Sequence, residues 1–183
     1  LSVKEMPFDD RNRHYLGREY MFYNRYDDAI RELKHHLGMP NATWAAERAA
    51  SMRFIGRCYQ YKGEHEEAER WFIRSCGEAP SEREPWVELA KFLYVKQDWE
   101  GVYSACKRAL IIPDKSQSYI REPFAWNHEP YDMLGQAAWW MGLKHEGLKH
   151  MKTAIEMCPN SADLPRLKKN LELCEHLLQQ ETV

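Results

Sequence analysis

No stretch of this 183-residue sequence is apolar over the roughly 20 residues needed to cross a bilayer, which excludes a spanning helix. The first fifteen residues, LSVKEMPFDDRNRHY, are polar and give no secretory signal; a chain that starts on Leu1 reads as a piece excised from a longer protein, and a tag remnant or a processed chain would look the same. A strong charge of either sign is missing too. Lysine and arginine number 26 against 28 acidic residues, a formal net charge of -2, which argues against nucleic acid as the main partner. The five cysteines, Cys58, Cys76, Cys106, Cys158 and Cys174, are odd in number and never at CxxC spacing. They read as small buried thiols in a reducing, cytoplasmic setting rather than as disulfide or zinc pairs. There is no glycine-rich phosphate loop, no HExxH and no GxSxG. His35 and His36 are adjacent and point different ways on a helix, and His145 and His150 are five apart, so neither pair is read as a metal site. The sequence therefore predicts no catalytic residue, no cofactor and no metal.

What the sequence does have is an internal repeat. Met52 and Trp86 are 34 residues apart, as are Gly56 and Ala90. Around each anchor stands a large apolar residue, a small residue, an aromatic or Leu, and then a second small residue. The paired positions are Gly17/Ala29, Gly56/Ala68, Ala90/Val102 and Gly135/Gly147, each 12 apart, with Val102 departing from the small-residue rule. Small residues where two helices cross let the axes approach to about 8–10 Å, and large apolar neighbours fill the space beside them. This 34-residue spacing resembles the tetratricopeptide repeat (TPR). It predicts an all-α, TPR-type α-solenoid of four helix-turn-helix repeats within one domain spanning 1–183. The repeats fall near 9–38, 43–79, 82–113 and 128–159. First helices are expected near 9–24, 43–62, 82–96 and 128–142, second helices near 26–37, 65–77, 98–111 and 144–157. Residues 160–163 read as a helix N-cap, and Leu164, Leu167, Leu171, Cys174 and Leu177 or Leu178 as the apolar stripe of a capping helix over 161–178.

Two spacings exceed the period. Gly17 to Gly56 is 39, with the extra residues around Gly38-Met39-Pro40-Asn41, and Ala90 to Gly135 is 45. The second insertion, a loop over 114–127, carries Tyr119, Glu122, Phe124, Trp126 and, just beyond it, His128. It reads either as a strap tucking its aromatics onto the apolar edge between repeats or as a wall of a binding site.

In a TPR stack the first helices line the concave face. Here that face would expose Arg11, His14 and Arg18, then Arg53 and Arg57, then Lys91 and Tyr94, then Asp132, Gln136 and Trp139. The expected groove is basic at one end and acidic with aromatics at the other. It would hold a protein or peptide, or else it is a set of solvated faces with arginines paired to glutamates. TPR domains of co-chaperones hold a peptide's terminal carboxylate with Lys, Asn and Arg on successive first helices. The matching positions here are His14, Arg18, Phe54, Glu84 and Glu88, which would not hold a carboxylate.

A narrower resemblance covers residues 9–175. The runs NRHYLGREYMFYNRYDDAIRELKHHL (12–37), REPWVELAKFLYVKQDWEG (83–101) and SYIREPFAWNHEPYDMLGQAAWWMGL (118–143) resemble the TPR tail of bacterial and phage family 2 glycosyltransferases. In that family a GT-A domain with an Asp-x-Asp motif precedes the tail and binds the nucleotide sugar and metal. The resemblance implies a non-catalytic accessory domain that docks a glycosyl acceptor or partner, with the catalytic domain in cis. It carries over no catalytic residue, because these residues contain no GT-A portion. Set against it are a stand-alone peptide-binding adaptor and an oligomerisation module that pairs into a homodimer.

Overall fold

The computed structural model describes residues 9–113, 118–158 and 162–181. Among them are nine α-helices and one 3-10 turn. The helices are α1 (Asp10–Phe22), α2 (Tyr26–Gly38), α3 (Ala45–Tyr61), α4 (His65–Glu78), α5 (Arg83–Val95), α6 (Trp99–Leu110), α7 (Glu129–Trp140), α8 (Lys144–Glu156) and α9 (Leu164–Glu181). The 3-10 turn, Pro123–Ala125, lies in the second insertion. This is the all-α, TPR-type architecture read from the repeat, with each helix within a few residues of its expected bounds. Residues 114–117 of the inserted loop and the expected signals at Pro159, Asn160 and Ser161 lie outside the described residues.

The chain divides into two compact units after Pro85. In the first, α1 pairs with α2 and α3 with α4, while α3 also packs against α2 and α1. In the second, α7 packs against α6 and α8, α9 covers α8, and the 3-10 turn rests on α7. Helix α5 starts three residues before the division and lies mainly in the second unit.

Each hairpin turns by the same device. Seven residues beyond the first small position of each repeat stands a residue with positive φ, namely Asn24 (58°), Gly63 (78°), Gln97 (59°) and Gly142 (82°). The next residue's N–H then reaches back to a carbonyl five positions earlier. Arg25 donates to Tyr20, Glu64 to Tyr59, Asp98 to Leu93 and Leu143 to Ala138, at 2.9–3.1 Å. These are Schellman turns, which satisfy carbonyls that a helix end leaves open. Glycine and asparagine suit the left-handed position; Gln97 does not, and stores strain there.

The repeat spacing also appears as packing. A methyl group on Gly56 would stand 2.6 Å from Phe72 Cε1, one on Gly17 2.5 Å from Leu33 Cγ, and one on Gly135 2.8 Å from Met151 Cγ. In each of these three repeats the crossing glycine meets the side chain 16 positions later. Phe72 and Leu33 are fully buried, so each of these contacts removes a large apolar side chain from water, worth about 2 kcal/mol apiece. Val102 occupies the second small position of its repeat and is fully buried there.

Helix α9 departs from the expected cap. Leu167 and Cys174 are buried, but Leu173 and Leu177 are 56 % and 39 % exposed. A cap whose outer face was polar would hide its leucines; this one leaves two of them against solvent.

Candidate functional site

The first-helix positions expected to be exposed separate into two groups. His14, Arg53 and Asp132 are buried, at 1, 2 and 7 % exposure, and this corrects the expectation that they line an open surface. Their neighbours close over them because α1 and α3 pack directly on each other and because Asp132 is drawn into an ion pair. Arg11 and Lys91 are exposed, and Arg18, Arg57, Tyr94, Gln136 and Trp139 are half-buried. Arg18 lies over the rings of Tyr15 (5.2 Å) and Phe22 (5.8 Å), and Arg57 over Phe54 (5.3 Å).

In the second unit the expected groove residues bond to one another. Tyr94 donates its hydroxyl to Gln136 Oε1, and Gln136 Nε2 donates to Asp132 Oδ1 at 2.8 Å. Arg166 of α9 reaches Asp132 Oδ2 at 2.8 Å, and Lys91 pairs with Glu129 at 3.0 Å. Burial, with Asp132 nearby, raises the Tyr94 phenol above its usual range, so it remains a donor. This chain fixes α5, α7 and α9 relative to one another without offering spare acids to a ligand.

Beside it lies an apolar cleft. Trp99 stacks on Trp140, with ring centroids 6.0 Å apart and planes 16° apart, and Tyr94 meets Trp99 edge-on at 5.5 Å. The row leads to an opening of about 190 Å³ lined by Gln136, Trp139, Trp140, Met151, Leu173 and Leu177, with Cys174 and Asn170 at its floor and edge. Trp140 is 64 % exposed. Gln136 and Trp139, singled out in the sequence as groove residues, are therefore brought together here. Leu177, which the sequence places in a buried stripe, is exposed instead, and Leu173 is not singled out; the signal available is that the two are four apart and so share a helix face.

The described part of the inserted loop, residues 118–127, folds as a strap. Ala125 is fully buried, Arg121 covers the Trp126 ring at 4.2 Å, and Lys91 covers Phe124 at 4.5 Å. Asn127 Oδ1 accepts from the Glu129 N–H at 2.8 Å and so caps α7. His128 is buried, with Nε2 3.3 Å from Asp163 Oδ2. Glu122 is half-buried, and Tyr119 is 42 % exposed.

The first unit holds a polar network that the sequence did not suggest. His14 Nδ1 lies 2.7 Å from Ser51 Oγ, and Ser51 Oγ lies 2.9 Å from His36 Nδ1. His36 Nε2 in turn faces Glu47 Oε1 at 3.3 Å. All four side chains are essentially inaccessible to solvent. Burial first, with His36, Arg18 and Arg53 adding to it, lowers the His14 pKa to about 3, so this ring is neutral at pH 7.

No family model matches the sequence, and no curated protein matches it. Similar folds are found among solved TPR structures. The crystal structure of MamA is 19 % identical with a TM-score of 0.63, covering 85 % of this chain and 81 % of that one. PilF of Pseudomonas aeruginosa is 12 % identical with a TM-score of 0.68, covering 92 % and 69 %. The first TPR domain of Spaghetti (RPAP3), solved bound to the HSP90 peptide SRMEEVD, is 17 % identical with a TM-score of 0.59, covering 73 % and 95 %. At these identities the likeness establishes the fold and nothing finer.

Proposed function

We propose that this TPR-fold chain is a non-catalytic scaffold that binds a segment of another protein. The apolar cleft between α7, α8 and α9 takes that segment's principal side chain. The observation that carries the reading is the exposure of Trp140, Leu173 and Leu177 around one apolar opening. An opening of about 190 Å³ fits one leucine, methionine or phenylalanine side chain, not a cofactor. The ion pairs around Asp132 and Glu129 hold the rim rigid, so little ordering is needed on binding. That a similar fold has been solved with a peptide bound supports the class of partner. It does not support the same peptide, because His14, one of the clamp-equivalent positions, is buried and neutral.

Cys174 provides the test, since it lines the cleft and at 8 % exposure is the most accessible of the five thiols. Binding of a partner segment should slow its alkylation while the other four stay unreactive. Unchanged Cys174 labelling at saturating ligand would place the ligand elsewhere.

The accessory-domain reading for a family 2 glycosyltransferase rests on the sequence resemblance. The folded EPFAW strap favours it only as an ordered element on which a neighbouring domain could rest. The gene sequence upstream of Leu1 decides it, because a GT-A domain with Asp-x-Asp must precede this chain.

A further inference from the structure

The connector between α2 and α3 is where the first unit departs from the 34-residue period, and three ligand-type side chains converge beside it. Asp10 opens α1, His36 stands in the last turn of α2, and Glu47 in the first turn of α3. One donor atom from each lies within 4.8 Å of the others. His36 and Glu47 are 0 % and 1 % exposed, while Asp10 is half-buried at the rim.

Two of the inward-facing atoms, His36 Nε2 and Glu47 Oε2, have no hydrogen-bond partner. A buried ring nitrogen without a hydrogen bond, next to a carboxylate whose Oε2 has only a 3.5 Å ion pair with Arg11, suits a cation ligand set. One distance agrees. His36 Nε2 and Glu47 Oε1 are 3.3 Å apart but are not aligned as a hydrogen bond. Two ligands on one tetrahedral ion, with bonds of about 2.0–2.1 Å, stand about 3.3 Å apart, and their lone pairs converge on the ion rather than on each other.

The surroundings hold the imidazole as a metal ligand needs. Ser51 Oγ touches Nδ1 of both His36 and His14, and a hydroxyl has one proton to give. With the Ser51 hydroxyl donating to His14, the His36 Nδ1–H donates to Ser51, and the His36 Nε2 lone pair faces the Glu47 carboxylate. In that tautomer the two lone pairs repel unless a cation lies between them; in the other, with Ser51 donating to His36, the His36 Nε2–H faces the carboxylate. Fixing the second ring nitrogen by a hydrogen bond is the usual way a protein orients a ligating histidine. Asn41, from the connector itself, donates to Asp10 Oδ1 at 3.3 Å. Arg11 Nε lies 3.5 Å from Glu47 Oε2, and its side chain is 58 % exposed, so it can withdraw into solvent when an ion enters.

We propose that Asp10, His36 and Glu47 bind one divalent transition-metal ion, with Ser51 and Asn41 as positioning residues, and that the ion ties α1, α2 and α3 together. One imidazole and two carboxylates suit zinc, with water completing a four-coordinate shell. This site lies in the first unit and is independent of the cleft.

The test is titration of the chelator-treated full chain at pH 7 with zinc by calorimetry and with cobalt(II) by visible absorption. The expected result is one ion per chain, cobalt bands without the thiolate charge-transfer absorption, and a rise in Tm on adding stoichiometric zinc. His36→Gln and Glu47→Gln should abolish this binding, and Ser51→Ala should weaken it by about tenfold or more. Asp10→Asn, at the rim and with the Asp9 cap intact, covers the case in which the buried variants fail to fold. It should melt like the metal-free wild type and lose the zinc-induced shift. Absence of stoichiometric binding to the wild type overturns the proposal. Binding that survives in Asp10→Asn and His36→Gln overturns it as well, since the ion is then held by surface groups.

Discussion

Gly147 faces the carbonyl oxygen of Gly135 so closely that a methyl group on Gly147 would stand 2.8 Å from that oxygen. The same methyl would lie 3.0 Å from the Trp139 backbone nitrogen, so the obstacle is main chain and cannot rotate away. Gly147→Ala should therefore destabilise the chain by about 1–3 kcal/mol, against the usual helical preference for alanine. Gly77 in α4 has nothing within 4 Å of such a methyl, and Gly77→Ala should stabilise by about 0.5–1 kcal/mol. Urea unfolding of the two variants checks the contrast in sign.

Gln97 stands at φ 59° in the third hairpin turn, where the second and fourth hairpins have glycine. Gln97→Gly should relieve that strain and raise stability by about 1 kcal/mol. Gly63→Gln in the second turn should lower it by a similar amount, about 1 kcal/mol. Thermal melts of the two single variants give the comparison.

His14 links the first unit to pH. Its pKa is lowered from 6.5 to about 3, mainly by burial, so between these values the unfolded chain binds the proton and the folded chain does not. This contribution to stability is complete above about pH 6.5 and is lost as pH falls toward 3. His14→Gln keeps a hydrogen-bonding group for Ser51 but does not titrate there. Denaturant unfolding from pH 7 to 4, in chelator, should show a shallower acid decline for this variant than for the wild type.

The repeat was legible because packing of small against large residues fixes it. Glycine or alanine recurs at one position, and its partner follows 16 residues later, as in Gly56 and Phe72. Helix ends were legible from the same period and from turn residues such as Gly63 and Gly142. Exposure was not. His14 and Asp132 occupy first-helix positions that a bare repeat leaves open, and their burial follows from particular partners, Ser51 and Arg166, which lie 37 and 34 residues away. The Asp10, His36 and Glu47 cluster escaped notice for the same reason. His36 was weighed against its neighbour His35, whereas its true companions come from two other helices.

The Asp132–Arg166 pair joins α7 to α9 with one partner buried and the other 46 % exposed. Asp132→Ala leaves Gln136 without an acceptor and should cost about 1–3 kcal/mol, while Arg166→Ala should cost less, since water reaches that end. A double-mutant cycle on chemical unfolding gives the coupling. A coupling of zero would mean that this pair does not help to hold α9 on α7.

The central claim is that the cleft of Trp140, Leu173 and Leu177 is where a protein segment binds. The measurement that tests it most directly is the affinity of a peptide, selected on the wild-type chain from a random library, for wild type, Leu173→Ser and Trp140→Ser, followed by fluorescence polarisation. Both side chains are largely exposed, so far-UV circular dichroism should be unchanged and Tm should fall only slightly, in Trp140→Ser through the lost stacking on Trp99. The account predicts that affinity falls by about tenfold or more in each variant. Affinity equal to wild type in both folded variants would contradict it, as would a cleft covered by a second copy of the chain, seen as a mass that doubles with concentration and reverts to monomer in Leu173→Ser.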